Sequence, residues 1–265
     1  MKRGKLNSKA QTTIFIIIAI LIITITIIFI ATKTNILKQK QQVSPEIQPI
    51  YSFVQECIKQ TAENAIYHIG QTGGYNIVPE NQEIIILDNE TYLEIAHYLY
   101  NNENQMPSKQ TIENEISLYI DNFVYFCINE FKDFQDFEIN YQEMQTQTQI
   151  KDNKILFNIN FPINISKAEK TYLINEFNNI EFNIRFDKIY NTAEKIMEKQ
   201  MQNKNAICFS CLHDLAQEQD MEIYFSQATN NTFIFTIIDK QSKIYDNDYE
   251  FYFANKYDFQ EESVI

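Results

Sequence analysis

Spread over 265 residues, 35 acidic against 22 basic side chains leave a net charge of −13. That balance argues against a nucleic-acid binder, which needs basic surface to displace counterions from phosphate. Sixteen Tyr and 20 Phe supply ample apolar bulk for a core, while Gly, Pro and His are scarce and Trp is absent. The length beyond the first 32 residues suits one large or two small domains.

Residues 1–11 carry Lys2, Arg3, Lys5 and Lys9 and no acid. Thr12 to Thr32 follows, 21 residues without charge, Gly or Pro. As a helix rising about 1.5 Å per residue it would cover about 30 Å, the thickness of a bilayer's hydrocarbon core. The run exceeds the length of a secretory h-region, so a transmembrane helix is expected over 12–32. Four basic residues before the run against Lys33, Lys38 and Lys40 after it favour a cytoplasmic N-terminus. With the first four set aside, 18 basic residues face 35 acidic ones over 33–265, and this acidic body is expected outside the cytoplasm.

At the junction, Lys9-Ala10-Gln11-Thr12-Thr13-Ile14 resembles an archaeal class III (prepilin-type) signal. The resemblance covers about the first 32 residues and implies cleavage between Ala10 and Gln11, with the apolar segment kept as an anchor or an assembly core. An uncleaved signal-anchor explains the same residues. Against a filament subunit, Pro45 and Pro49 interrupt the chain soon after the run. Ser44 to Ile50, Cys57, Gly70 to Tyr75, the CxxC at 208–211 and Phe251 to Tyr257 resemble a set of single-pass archaeal surface proteins. That likeness implies location and no chemistry.

Residues 33–49 read as a linker. Helical spacing of Ile50, Phe53, Val54, Cys57, Ile58, Ala62, Ala65, Ile66 and Ile69 predicts an amphipathic helix over about 50–69. Gly70 is placed to cap it, and Gly70, Gly73 and Gly74 mark a turn or a binding loop. Ile84 to Leu87 suggests a short strand, and Tyr92 to Tyr100 a short helix or an irregular aromatic segment. Pro107-Ser108 opens a second helix to about Phe131, with Ile112, Ile116, Tyr119, Ile120, Phe123, Val124, Cys127, Ile128 and Phe131 on one face.

Near 132–136 the period shifts from helical to alternating. Phe137 to Ile150 is strand-like, and Lys151 to Lys154 is a turn. Ile155, Phe157, Ile159, Phe161, Ile163 and Ile165 then alternate with other residues, and Ile180 to Phe186 repeats the pattern. Asp187 is placed to cap a helix to about Met201, and a shorter helix starts near Cys208. Strands are expected over Met221 to Ser226, Phe233 to Asp239 and Tyr249 to Tyr257. The fold class that results is α+β: one N-terminal transmembrane helix, a mostly helical subdomain over 50–134, and an antiparallel-sheet subdomain with one or two helices over 135–265.

Four cysteines allow three pairings. Cys57 with Cys127 is preferred, because both sit on the apolar faces of helices expected to pack together; Cys208 and Cys211 remain for each other. On an exported body all four are disulfide candidates. The Cys208-Phe209-Ser210-Cys211 motif invites a redox-active pair, although it lacks the buried strand that precedes such motifs in redox domains of the thioredoxin type. Cys208, Cys211 and His213 offer three metal ligands where a structural zinc site wants four. Asp246, Asp248 and Glu250 lack the glycine of a calcium loop and read as a hairpin turn. Asn89, Asn164 and Asn230 head glycosylation sequons.

No nucleophile elbow, phosphate loop or dinucleotide fingerprint is present, and no cofactor is implied. These features together suggest a membrane-anchored, extracytoplasmic structural or interaction protein of the cell envelope, without evident catalysis. Its partners would be the bilayer through residues 12–32 and either envelope proteins or further copies of itself. The alternative is a membrane-tethered thiol–disulfide exchange protein using Cys208 and Cys211.

Overall fold

The structure, a computed structural model, describes residues 19, 21–24, 26, 43–80, 85–86, 92–229 and 231–258. It corrects the expected fold class in one respect. Among the described residues no helix is long and apolar enough to cross a membrane. Of the run 12–32, only Ala19, Leu21 to Thr24 and Thr26 are described, as helix; its other residues lie outside the described set. The expectation counted uncharged length. The run is built largely of Ile and Thr, whose branched Cβ disfavours a helix, so hydropathy did not establish a continuous one. Pro45–Ile265 forms one compact unit and Met1–Ser44 another.

Helix α1 (Gln48–Thr72) buries Ile50, Val54, Cys57, Ile58, Ala62, Ala65, Ile66 and Ile69. It packs on α2 (Lys109–Ile128), on β11 (Asn247–Lys256) and on β8 (Lys170–Phe182). Its end is not Gly70 but Gly73, whose φ of +73° suits glycine and whose N–H reaches Ile69 O. Gly70 has another task. A Cβ there would lie 2.6 Å from Glu250 O and 2.8 Å from Tyr249 Oη, so its bare backbone is what lets β11 lie close on the helix. Tyr249 Oη uses that approach to donate to Ile66 O at 2.9 Å.

Helix α2 starts where Ser108 Oγ accepts from Thr111 N–H and stops at Asn129 in the left-handed region. Its buried stripe is Ile112, Ile116, Ile120, Val124 and Ile128. That stripe covers β6 (Gln145–Lys151). Beneath it, β7 (Lys154–Lys167) is the centre of a four-stranded sheet. The strands β5 (Glu138–Tyr141) and β6 pair with its two ends, and β8 runs along β7 as well. All six alternating apolar residues of β7, Ile155 to Ile165, are buried.

The second sheet is ordered β4-β3-β11-β10-β9, with β3 (His97–Tyr100), β4 (Glu103–Asn104), β9 (Glu222–Thr229) and β10 (Thr232–Ile244). β3 joins β11 in parallel. The aromatic segment 92–100 therefore holds strands in place of the expected short helix or irregular segment. Ala96 to Leu99 are buried without alternation, so no period of two could announce them. Ile85–Ile86 (β1) and Tyr92–Leu93 (β2) make a small ladder of their own. Tyr98 stacks on Phe253 at 4.6 Å and Phe235 on the same ring at 5.1 Å, forming the aromatic centre of the sheet.

Helix α3 (Phe186–Gln202) is capped at Arg185 rather than Asp187, and no side chain closes that cap. Asp187 lies in its first turn and pairs with Lys109 at the start of α2. Helix α4 (Phe209–Gln219) then places the CxxC at its N-terminus.

Candidate functional site

Two places combine accessible side chains with unusual chemistry. The first is the start of α4. Cys208 occupies the cap position and its Sγ accepts the Cys211 N–H at 3.3 Å. The two sulfurs are joined in a disulfide. Cys208 is exposed and Cys211 half-buried. Phe209, between them, is 65% exposed. Behind the pair lies a cavity of about 30 Å³, whose lining includes Ile196, Lys199, Leu212, Leu215 and Phe235. A water needs about 10–15 Å³ of such space, so the cavity has room for a water or two and none for a substrate. Any chemistry here belongs to the exposed sulfur and to a partner that approaches from outside.

The second place is an aromatic ridge across α1 and α2. Tyr119, Phe123 and Phe126 follow one another on α2 with ring centroids 4.5 and 5.9 Å apart. Tyr119 meets His68 of α1 at 5.3 Å. Tyr67, beside it in sequence, meets Tyr245 at 5.8 Å. Phe126 is 78% exposed, the largest value among the bulky apolar side chains of the described residues. Tyr67, Phe123 and Tyr245 are exposed as well. Partial burial, then Glu63, Tyr119 and Tyr67 close by, raise the pKa of Tyr245, so its hydroxyl stays neutral and donates to Asn64.

The disulfide Cys57–Cys127 ties α1 to α2 next to this ridge, with Cα atoms 5.5 Å apart and a sequence separation of 70. The sequence reading had placed Tyr119 and Phe123 on the buried face. The signal that separates them was present: Ile112, Ile116, Ile120, Val124 and Ile128 already make a complete core stripe at spacing four. The aromatic residues at 119, 123 and 126 form a second stripe beside it.

The remaining candidates are distributed elsewhere. Gly73 and Gly74 are packed by their own chain: Tyr98 Oη donates to Gly73 O at 3.1 Å, and a Cβ on Gly74 would sit 3.0 Å from Ile112. His213 lies on α4 with Nε2 3.1 Å from the Gln217 side-chain nitrogen. Both cysteine sulfurs beside it are already bonded to each other. Among the described residues no group of three His, Cys, Asp or Glu could hold a metal ion. Asp246 lies in the turn between β10 and β11, where Asp248 pairs with Lys243 and Tyr252 Oη donates to Glu250. Asn164 is an exposed residue of β7. Ala10, Gln11, Asn89 and Asn230 lie outside the described residues.

An open groove of about 460 Å³ flanks the far end of α4, and its lining includes Asp220, Glu222 and Lys240. Those charges are paired, Lys240 with Glu222 and Asp220 with Arg185. Behind it Arg185 Nε donates to the wholly buried Asp239 carboxylate at 3.0 Å, where Ser242 Oγ and the Gln241 N–H also donate. Burial alone would raise the Asp239 pKa; Arg185, Ser242 and Gln241 outweigh it and hold it below the usual carboxylate range. Compared with protein families, with curated proteins and with solved structures, the chain matches none of them.

Proposed function

We propose that this chain is an exported interaction protein that docks a partner through the Tyr67–Phe126 aromatic ridge. The observation that carries the reading is the exposed ridge on two helices that a disulfide locks together. An apolar surface held rigid in the free protein loses less entropy on docking, and aromatic side chains dominate the centres of interfaces. Two disulfides suit an oxidising compartment, which supports a site of action outside the reducing cytosol. The partner is a protein surface with an apolar centre and a basic rim. Glu63 borders the ridge, and a net charge of −13 opposes pairing with a second copy.

A photo-crosslinking residue in place of Phe126, in the full chain made in its own cells, tests this. A discrete adduct is expected from position 126 and none from the exposed Glu181 on β8. Phe123→Ser should weaken the adduct by about tenfold, the worth of one lost aromatic anchor. Equal labelling from 126 and 181, or an adduct with the mass of two copies, overturns the reading.

A further inference from the structure

The two disulfides differ in a way that docking does not require. Cys57 is 2% exposed and clamped between α1 and α2. Cys208 is exposed, and its bond to Cys211 closes a loop with a sequence separation of only 3. The geometry points to Cys208–Cys211 as a redox-active disulfide that oxidises a dithiol of a client protein.

Three features carry the assignment. The first is access: both cysteines line the small cavity, but Cys208 is exposed and Cys211 only half-buried. A client thiolate therefore reaches Cys208 more readily than Cys211. The second is the reduced state. Cys208 caps α4, an eleven-residue helix, and its sulfur already accepts the Cys211 N–H. Free N–H groups and the positive end of the helix stabilise a thiolate there. A favoured reduced form makes the disulfide a stronger oxidant. Lys199, which lines the same cavity, adds positive charge on that side. The third is a landing place. Phe209 follows Cys208 in the chain and is 65% exposed. An extended client segment can lay an apolar side chain on it while presenting its thiol.

The exchange balances without a cofactor. A client thiolate attacks Cys208 Sγ, the Cys208–Cys211 bond breaks, and Cys211 leaves as a thiolate that takes a proton from water. A mixed disulfide now joins the client to Cys208. The second client thiolate attacks the client sulfur of that bond and releases Cys208. The client has gained a disulfide and lost two electrons and two protons; the Cys208–Cys211 pair has gained two electrons. A low-molecular-weight disulfide, such as oxidised glutathione, reverses the change in the pair.

Equilibration of the unaltered full chain in glutathione buffers of graded ratio, followed by acid quench, alkylation and mass mapping, tests the pair. Cys208 and Cys211 are expected to become alkylated in buffers that leave Cys57 linked to Cys127. Reduction of both pairs together, or of neither before unfolding, overturns the assignment. The choice of attacked sulfur has its own test. In Cys211→Ser, Cys208 should form a mixed disulfide with oxidised glutathione at least about tenfold faster than Cys211 does in Cys208→Ser. Equal rates overturn the assigned role of Cys208. Loss of the crosslinked adduct at Phe126 would leave this result untouched, so the two proposals stand or fall separately.

Discussion

Arg185→Ala is expected to cost about 3 kcal/mol of folding stability, measured by urea denaturation at pH 7. The variant strands the Asp239 carboxylate, which has no exposed side-chain surface, without its cation. Breaking a buried pair by removing one partner costs about 3–5 kcal/mol; the guanidinium lies near the rim, 12% exposed, so the lower figure applies. The loss also has a pH signature. In the intact protein Asp239 titrates below the usual carboxylate range, so its contribution is complete above about pH 4 and fades as pH falls through the folded value. Without Arg185, burial raises that value above the unfolded one, and acid then favours the folded variant. The gap between the two proteins should therefore narrow on acidification from pH 7. A loss under about 1 kcal/mol, or a gap independent of pH, would contradict this account of the Arg185–Asp239 pair.

Unlinking α1 from α2 is the other large effect. For Cys57→Ala with Cys127→Ala, the chain-entropy account gives a loss of about 4 kcal/mol, because the closed loop is long, with a separation of 70. The same relation gives about 2 kcal/mol for Cys208 with Cys211, whose separation is 3. The ranking matters more than either value. The long bridge holds the fold and the ridge together, while the short one contributes little that would be missed if it opened and closed during exchange. Denaturation midpoints of the two double variants at one pH decide it. An equal or larger loss for the Cys208–Cys211 variant would show that the short bridge is structural.

Much of this architecture could be read along the chain, where one face of an element is buried and the other wet. The helical spacing from Ile50 and the strict alternation from Ile155 both announced their elements. The hairpin at Asp152-Asn153 was equally plain, with Asn153 at φ +63°. Where burial is complete, the pattern vanishes. His97 to Leu99 are buried on both sides, and their parallel pairing with β11 joins segments more than 150 residues apart, which no local signal reports. Gly70 was assigned a turn because glycine is common there, yet its role is a close approach by β11. The apolar run at 12–32 carried hydropathy but gave no separate evidence of helix continuity. The CxxC was visible as a motif. The helix expected from near Cys208 is α4, with Cys208 at its cap; its packing on α3 and β9 is what the motif does not encode. Arg185 and Asp239 were invisible, since 54 residues separate two charges that meet only through the sheet.

The account depends most on one bond, the clamp that sets the aromatic ridge on two fixed helices and on which the proposed export rests. The direct measurement is the mass of the protein taken from its own cells, alkylated at once without reductant, then mapped by proteolysis. The account predicts a linked Cys57–Cys127 peptide pair and no alkyl group on either residue, with about 2 Da gained by that pair on reduction. Alkylated Cys57 and Cys127 in the fresh protein would contradict both the compartment and the rigid ridge.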